Sequence, residues 1–252
     1  MTSPKYLHTT VEHNLLAPIE IVPFIIEAFH PKSAVDVGCG LGTFLNIFFE
    51  NGVKDIIGID GPCLDRSKLF IPAEYFITAD LECPLDIQRK FDLVICLEVA
   101  EHLQEATANV LVDNLCVLGD IIIFSSAIEN QGGQNHINEQ PFAYWVEKFK
   151  EKGFIFYDVF RTNFWDNKKI NWWYRQNMFL VLKDTIAVQS FFPGAKPAKE
   201  IQEYIHPELF KMQTENVNMY KQQLKKIKEG EMPAAYYFKL LKKALKRKLL
   251  KK

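Results

Sequence analysis

This chain has no excess of one charge. Thirty Lys and Arg stand against 31 Asp and Glu, for a formal net charge of −1. A broadly basic face of the kind that binds DNA is therefore not expected, because phosphate recognition depends on one. Long hydrophobic runs are also missing. No apolar stretch reaches the roughly 20 residues needed to span a bilayer, and the opening residues show no charged-then-apolar leader pattern. The five cysteines, Cys39, Cys63, Cys83, Cys96 and Cys116, are scattered with no C-x-x-C pair. That usage predicts reduced, buried thiols and a cytoplasmic protein. No internal repeat is present.

About half the residues are apolar, 48% of 252, enough for one medium α/β domain with a tail. Helical spacing of Leu15, Leu16, Ile19, Val22, Ile25, Ile26 and Phe29 predicts a helix over 11–29, ahead of Pro31. Strands are expected at 34–37, 55–60, 75–78, 91–97, 120–125, 155–159 and 177–182. Helices are expected between them at 43–51, 100–117 and 141–152, with Pro141 suited to a first helical position. The near-continuous apolar run 91–97 reads as a strand buried on both faces. Strands alternating with helices predict a mostly parallel sheet with helices on both sides. The expected organisation is an N-terminal helical segment (1–32), an α/β core (33–185) and a helical, basic extension (186–252).

The densest signal is Val35-Asp36-Val37-Gly38-Cys39-Gly40-Leu41-Gly42-Thr43-Phe44. It reads as a buried strand, a turn of alternating glycines and a helix start. Glycine lets a backbone approach a ligand closely, and the first turn of a helix offers unpaired N–H groups. The spacing is G-x-G-x-G, not the G-x-G-x-x-G of dinucleotide sites, which disfavours a nicotinamide oxidoreductase. Asp36, just before the turn, would repel a pyrophosphate and attract an ammonium. The run resembles the first motif of class I methyltransferases that use S-adenosylmethionine. Asp60 and Asp80 stand at or after the ends of the next two strands, where ligands bind in open parallel sheets. On this reading Asp60 takes the ribose hydroxyls, Asp80 accepts from the adenine amino group, and the Leu81 N–H donates to the ring. Asp36 and the carbonyls at Gly38, Gly40 and Gly42 hold the methionine ammonium. The resemblance covers about 33–183, implies the Rossmann-like fold with an antiparallel final strand, and adds Leu97 and Glu98 to the cofactor site.

After the fourth strand stands Leu97-Glu98-Val99-Ala100-Glu101-His102-Leu103. It resembles small-molecule O-methyltransferases, not the Asn-Pro-Pro-Tyr pattern of amine and base methylators. His102 is the first candidate base, since imidazole takes a proton near neutral pH. The loop Gln131-Gly132-Gly133-Gln134-Asn135-His136-Ile137-Asn138-Glu139-Gln140 is expected over the same edge. It supplies His136 as a second catalytic candidate and Asn135, Asn138 and Glu139 as groups for a polyhydroxylated substrate. With Pro141–Trp145, Trp172–Asn177 and the opening His13-Asn14, these segments resemble a bacterial surface-glycan methyltransferase family. That resemblance implies O-methylation of a sugar or sugar nucleotide for capsule or O-antigen. Trp165, Trp172 and Trp173 are candidates for a stacking platform.

Two alternatives stay open. Glu98-x-x-Glu101-His102 with His136 also resembles the ligand set of metal-dependent methyltransferases acting on RNA 3′ ends, and oxygen ligands plus imidazole suit Mg²⁺ or Mn²⁺. A non-catalytic cofactor-binding scaffold is the other. The last fourteen residues carry eight Lys or Arg. This amphipathic segment suits an anionic membrane surface at the inner face of the membrane, a partner subunit or a plain basic end alike. Oligomeric state is not legible.

Overall fold

The computed structural model describes residues 14–198 and 204–249, without the side chains of 248 and 249. The expected helix start at residue 11, and His13 with it, lies outside the described residues. The chain divides after His206 into two compact units.

The first unit is a seven-stranded sheet with β1 (Ser33–Val37), β2 (Asp55–Asp60), β3 (Phe76–Thr78), β4 (Leu93–Leu97), β5 (Ile121–Ser125), β6 (Phe154–Tyr157) and β7 (Phe179–Lys183). The spatial order is β3-β2-β1-β4-β5-β7-β6. Strands β1 to β5 run parallel, and β7 lies antiparallel between β5 and β6. Every residue of β1 and β4 is buried, as unbroken apolar strands at the centre of a doubly covered sheet should be. Their entries are pinned reciprocally. Asp92 Oδ2 accepts from the N–H groups of Lys32 and Ser33, and Ser33 Oγ accepts from Asp92 N. This fixes the register Ala34↔Leu93.

Helices α1 (Leu16–Phe29), α2 (Thr43–Glu50), α3 (Ala108–Leu118), α4 (Phe142–Lys150), α5 (Phe160–Phe164) and α6 (Trp172–Asn177) flank the sheet. The order steps outward from β1 to β3 and then returns to β4. The switch point therefore lies between β1 and β4, above their C-terminal ends, where such sheets bind ligands. The second unit holds α7 (Pro207–Lys228) and α8 (Ala234–Leu249).

Three expectations need correction. The helix foreseen over 100–117 is two single 3₁₀ turns, 100–102 and 105–107, followed by α3. The break has a cause: Leu103 and Gln104 are extended, and the Glu101 carbonyl accepts from Ile137 N and Asn138 N instead of from a helical amide. Asn177 ends α6 rather than opening the last strand. Finally, all five cysteines are free, but only Cys39 and Cys96 are buried, whereas Cys63 and Cys83 are exposed.

Candidate active site

The glycine turn joins β1 to α2 and is folded onto β2. Gly38 N and Cys39 N both donate to Ile59 O, and Gly42 N closes a turn on Cys39 O. Gly40 N donates to Asp60 Oδ2 at 2.7 Å, and Gly61 N to Asp60 Oδ1 at 2.6 Å. Gly38, Gly40 and Gly42 all have positive φ (82°, 52° and 78°), the left-handed region that glycine enters without steric cost. Gly38 carries a second constraint, because a Cβ there would collide with the Val99 side chain. Its lack of a side chain thus lets the segment after β4 close over the turn, a packing role that the spacing alone does not reveal.

Asp36 lies buried in β1 between Gly58 and Ile95. Burial, and secondarily the charge of Asp60, pushes its carboxyl up to about 8. Asp80 is exposed and accepts from Glu82 N at 3.0 Å, with Leu81 buried beside it. Leu97 ends β4 with 8% of its surface exposed. The structure therefore brings Asp36, the glycine turn, Asp60, Leu97 and Glu98 to the switch point, with Asp80 and Leu81 one strand further out.

Glu98 follows β4 with φ 54°, a conformation a non-glycine residue holds only when its surroundings impose it. The constraint is visible: Glu98 N donates to both Ser125 O (3.1 Å) and Ser125 Oγ (3.0 Å). Its carboxylate accepts from Asn177 Nδ2 at 3.2 and 3.3 Å and from Gln131 Nε2 at 3.3 Å. Gln176 extends this amide network, donating to Asn177 Oδ1 at 3.0 Å and accepting from His206 N at 2.7 Å. Burial raises the Glu98 carboxyl, while Ser125, Asn177, the His136 charge and Gln131 oppose the shift. In the sequence Gln176 and Asn177 stand out only within the segment Trp172–Asn177, which gives neither amide a role beside Glu98.

Glu101 presents the opposite environment. It is fully buried, and neither carboxylate oxygen has a partner that meets full hydrogen-bond geometry. Burial and the neighbouring Glu98 charge push its carboxyl well above the usual range, against backbone amides at Glu101 and Ala127. Beside it, the rings of His102 and His136 meet edge to face with centroids 4.9 Å apart. One ligating atom each from Glu101, His102 and His136 lie within 4.8 Å of one another. His102 Nδ1 faces Asn135 O at 3.4 Å, and His136 Nδ1 pairs with Glu139 Oε1 at 2.8 Å. A carbonyl or carboxylate only accepts, so each Nδ1 carries the proton and each Nε2 is the basic nitrogen.

The remaining predicted residues divide. His102 stands in the 3₁₀ turn after β4, not at the start of α3. Glu139 orients His136 and also accepts from Gly132 N. Asn138 is buried, and its amide is spent on Ala100 O and Gln140, which makes it a brace for the loop. Asn135 is half-buried with φ 63° and meets His102 through its carbonyl. The aromatic platform separates: Trp165 packs on Tyr204 and His206, whereas Trp172 and Trp173 form an edge-to-face pair.

Residues 11–115 match the family model for a methyltransferase domain. A tRNA U34 carboxymethyltransferase from Nautilia profundicola is 29% identical over 164 residues, which are 56% of this chain and 54% of that protein. The chain spans about half the length of this curated relative. Among solved structures, an amino pentose methyltransferase from Micromonospora echinaspora, bound to S-adenosylmethionine, superposes with a TM-score of 0.51 at 12% identity. The match covers 71% of this chain and 99% of that one. Magnesium protoporphyrin IX methyltransferase from Synechocystis, with bound S-adenosylhomocysteine, gives 0.48 at 16% identity, covering 71% and 90%. The superposition on the amino pentose enzyme shows that the sheet has the methyltransferase fold. No helix among the described residues is long and apolar enough to cross a membrane.

Proposed function

We propose that this chain, whose residues 11–115 match a methyltransferase domain, moves the methyl group of S-adenosylmethionine onto a hydroxyl of a sugar or sugar nucleotide in surface-polysaccharide synthesis. The observation that carries the reading is the paired imidazoles of His102 and His136, set just past the cofactor-side acid Glu98. Asp36 and the glycine-turn carbonyls would hold the methionine ammonium. Asp60 would take the ribose hydroxyls, and Asp80 with Leu81 would take the adenine. In the transfer, the acceptor oxygen forms a bond to the methyl carbon as the carbon–sulfur bond breaks, giving S-adenosylhomocysteine. The hydroxyl proton passes to an imidazole Nε2, and Glu139 stabilises the imidazolium formed on His136 as the carboxylate partner of a catalytic histidine does. Asn135 and the polar loop around it suit a ring bearing several hydroxyls. The amino pentose enzyme supports this as a fold-level analogy only.

Methyl transfer over a nucleotide-sugar panel tests the reading. His102→Ala and His136→Ala are each expected to lower turnover by roughly 10²–10⁴-fold, the range for losing a general base, with S-adenosylhomocysteine affinity kept. Full activity in both would remove the assigned bases. A milder substitution tests positioning. Gly133 has no side chain where a Cβ would collide with the His136 ring. Gly133→Ala is expected to displace that ring and lower turnover by about a hundredfold, leaving cofactor binding within about twofold by calorimetry.

A second reading is favoured by one further observation, the convergence of Glu101, His102 and His136 with both Glu101 oxygens lacking a well-aligned hydrogen-bond partner. These residues fit a divalent cation such as Mg²⁺ or Mn²⁺. Such an ion would supply Lewis-acid polarisation of the acceptor hydroxyl, whether on a sugar, another small molecule or RNA.

A further inference from the structure

The α8 helix lies outside the chemistry described above. Projected at 100° per residue, Ala234, Tyr237, Phe238, Leu241, Ala244, Leu245 and Leu249 fall within one arc, interrupted by Lys248 in the last turn, while Lys239, Lys243, Lys246 and Arg247 fall on the other side and Lys242 at the border. Phe238, Leu241 and Leu245, at i, i+3 and i+7, are 65%, 55% and 53% exposed. The basic side chains from Lys239 to Arg247 are exposed as well. From Ala234 to Lys252 the sequence holds eight Lys or Arg and no Asp or Glu. Tyr237 anchors the helix start, its hydroxyl lying 3.2 Å from Lys226 O and 3.0 Å from Ile227 O and accepting from Met232 N at 3.2 Å. Phe238, Leu241 and Leu245 are left presented.

We infer that α8 binds an anionic phospholipid surface, seating Phe238, Leu241 and Leu245 among the acyl chains with its lysines at headgroup level. An exposed apolar arc backed by Lys and Arg is the arrangement of an interfacial helix, and each basic residue near an anionic leaflet adds to the attraction. Pairing α8 with a second copy of itself would set lysine flanks against lysine flanks, with no acid on the helix to relieve the repulsion. A nucleic-acid phosphate backbone would satisfy the charges but leave the Phe and Leu arc in water.

Co-sedimentation of the full chain with vesicles tests the inference. Vesicles of phosphatidylglycerol and phosphatidylcholine should bind the protein, and phosphatidylcholine alone should bind it at least about tenfold more weakly. Leu241→Asp with Leu245→Asp should lower binding by roughly tenfold or more, and so should Lys242→Glu with Lys246→Glu. All four positions are exposed, so an unchanged melting transition checks that each variant folds. Three results would overturn the inference: no binding to phosphatidylglycerol vesicles, binding indifferent to the leucine pair, or tighter binding to single-stranded RNA than to vesicles. A lipid-free dimer that the leucine pair dissociates would instead assign the face to a second copy.

Discussion

Asp36→Asn is expected to weaken S-adenosylhomocysteine binding by roughly thirty- to hundredfold, the ~2–3 kcal/mol of a lost charge-assisted bond, while raising the melting temperature of the ligand-free protein. The two effects share one cause. In the folded chain burial, then the charge of Asp60, lifts the Asp36 carboxyl from 3.8 to about 8. Between those pH values the folded state keeps a proton that the unfolded state has released. The stability linked to this group is therefore complete below about pH 4 and is lost as pH rises through about 8. At about 1.4 kcal/mol per pH unit the span sets an upper bound near ~6 kcal/mol. Relaxation around a buried charge makes roughly 2 kcal/mol a sounder expectation at pH 8, or about 4–8 °C for a domain of this size. An arriving ammonium reverses the balance, since it stabilises the carboxylate that the empty fold disfavours. Wild-type affinity should accordingly climb from pH 6 to about 8, and the asparagine variant should be flat over the same range. Calorimetry across that range, with thermal unfolding in parallel, checks both. An asparagine variant that binds as tightly as wild type would remove Asp36 from the ammonium site.

Much of this arrangement was legible in the residues because it is local. Alternating apolar strands and helical stretches predict the sheet, and Asp36 with its G-x-G-x-G turn needs only adjacent residues to be seen. The acids at strand ends follow from topology, since a parallel sheet collects Asp36 and Asp60 at one edge. Long-range capture was not legible. The Glu101 carbonyl is taken by Ile137 N and Asn138 N, which breaks the helix that the apolar spacing of 100–117 predicts and turns His102 toward His136. Asn177 looked like the start of a strand, yet its amide crosses to Glu98. Asn138 has the composition of a substrate contact and is spent on the backbone of Ala100. In each case the deciding partner lies more than thirty residues away, beyond what spacing or propensity can encode. The Gly38 collision with Val99 is of the same kind: the glycine is visible in sequence, but its packing partner is not.

Glu101→Gln should lower turnover by about 10²–10³-fold with little change in cofactor affinity. The side chain is fully buried, its oxygens lack a well-aligned hydrogen-bond partner, and Glu98 repels it. A carboxylate in that position costs stability unless something positive completes its surroundings. The two imidazoles converging on it name the place where that charge would sit. A divalent cation there would satisfy both oxygens and offset the Glu98–Glu101 repulsion. Mn²⁺ should therefore raise the melting temperature of wild type by several degrees, as any ligand bound only to the folded state does. Glu101→Gln and His136→Ala should lose that rise, while Asp36→Asn, outside the cluster, should keep it. Chelator should lower wild-type turnover and leave the already impaired glutamine variant unchanged. If Mn²⁺ leaves the wild-type melting temperature unmoved and chelator leaves turnover intact, the cation reading falls. Glu101 would then be an acid that holds a proton beside the histidine pair. Loss of turnover in the glutamine variant would still place it in the reaction, through the protonation state it imposes on His102 and His136.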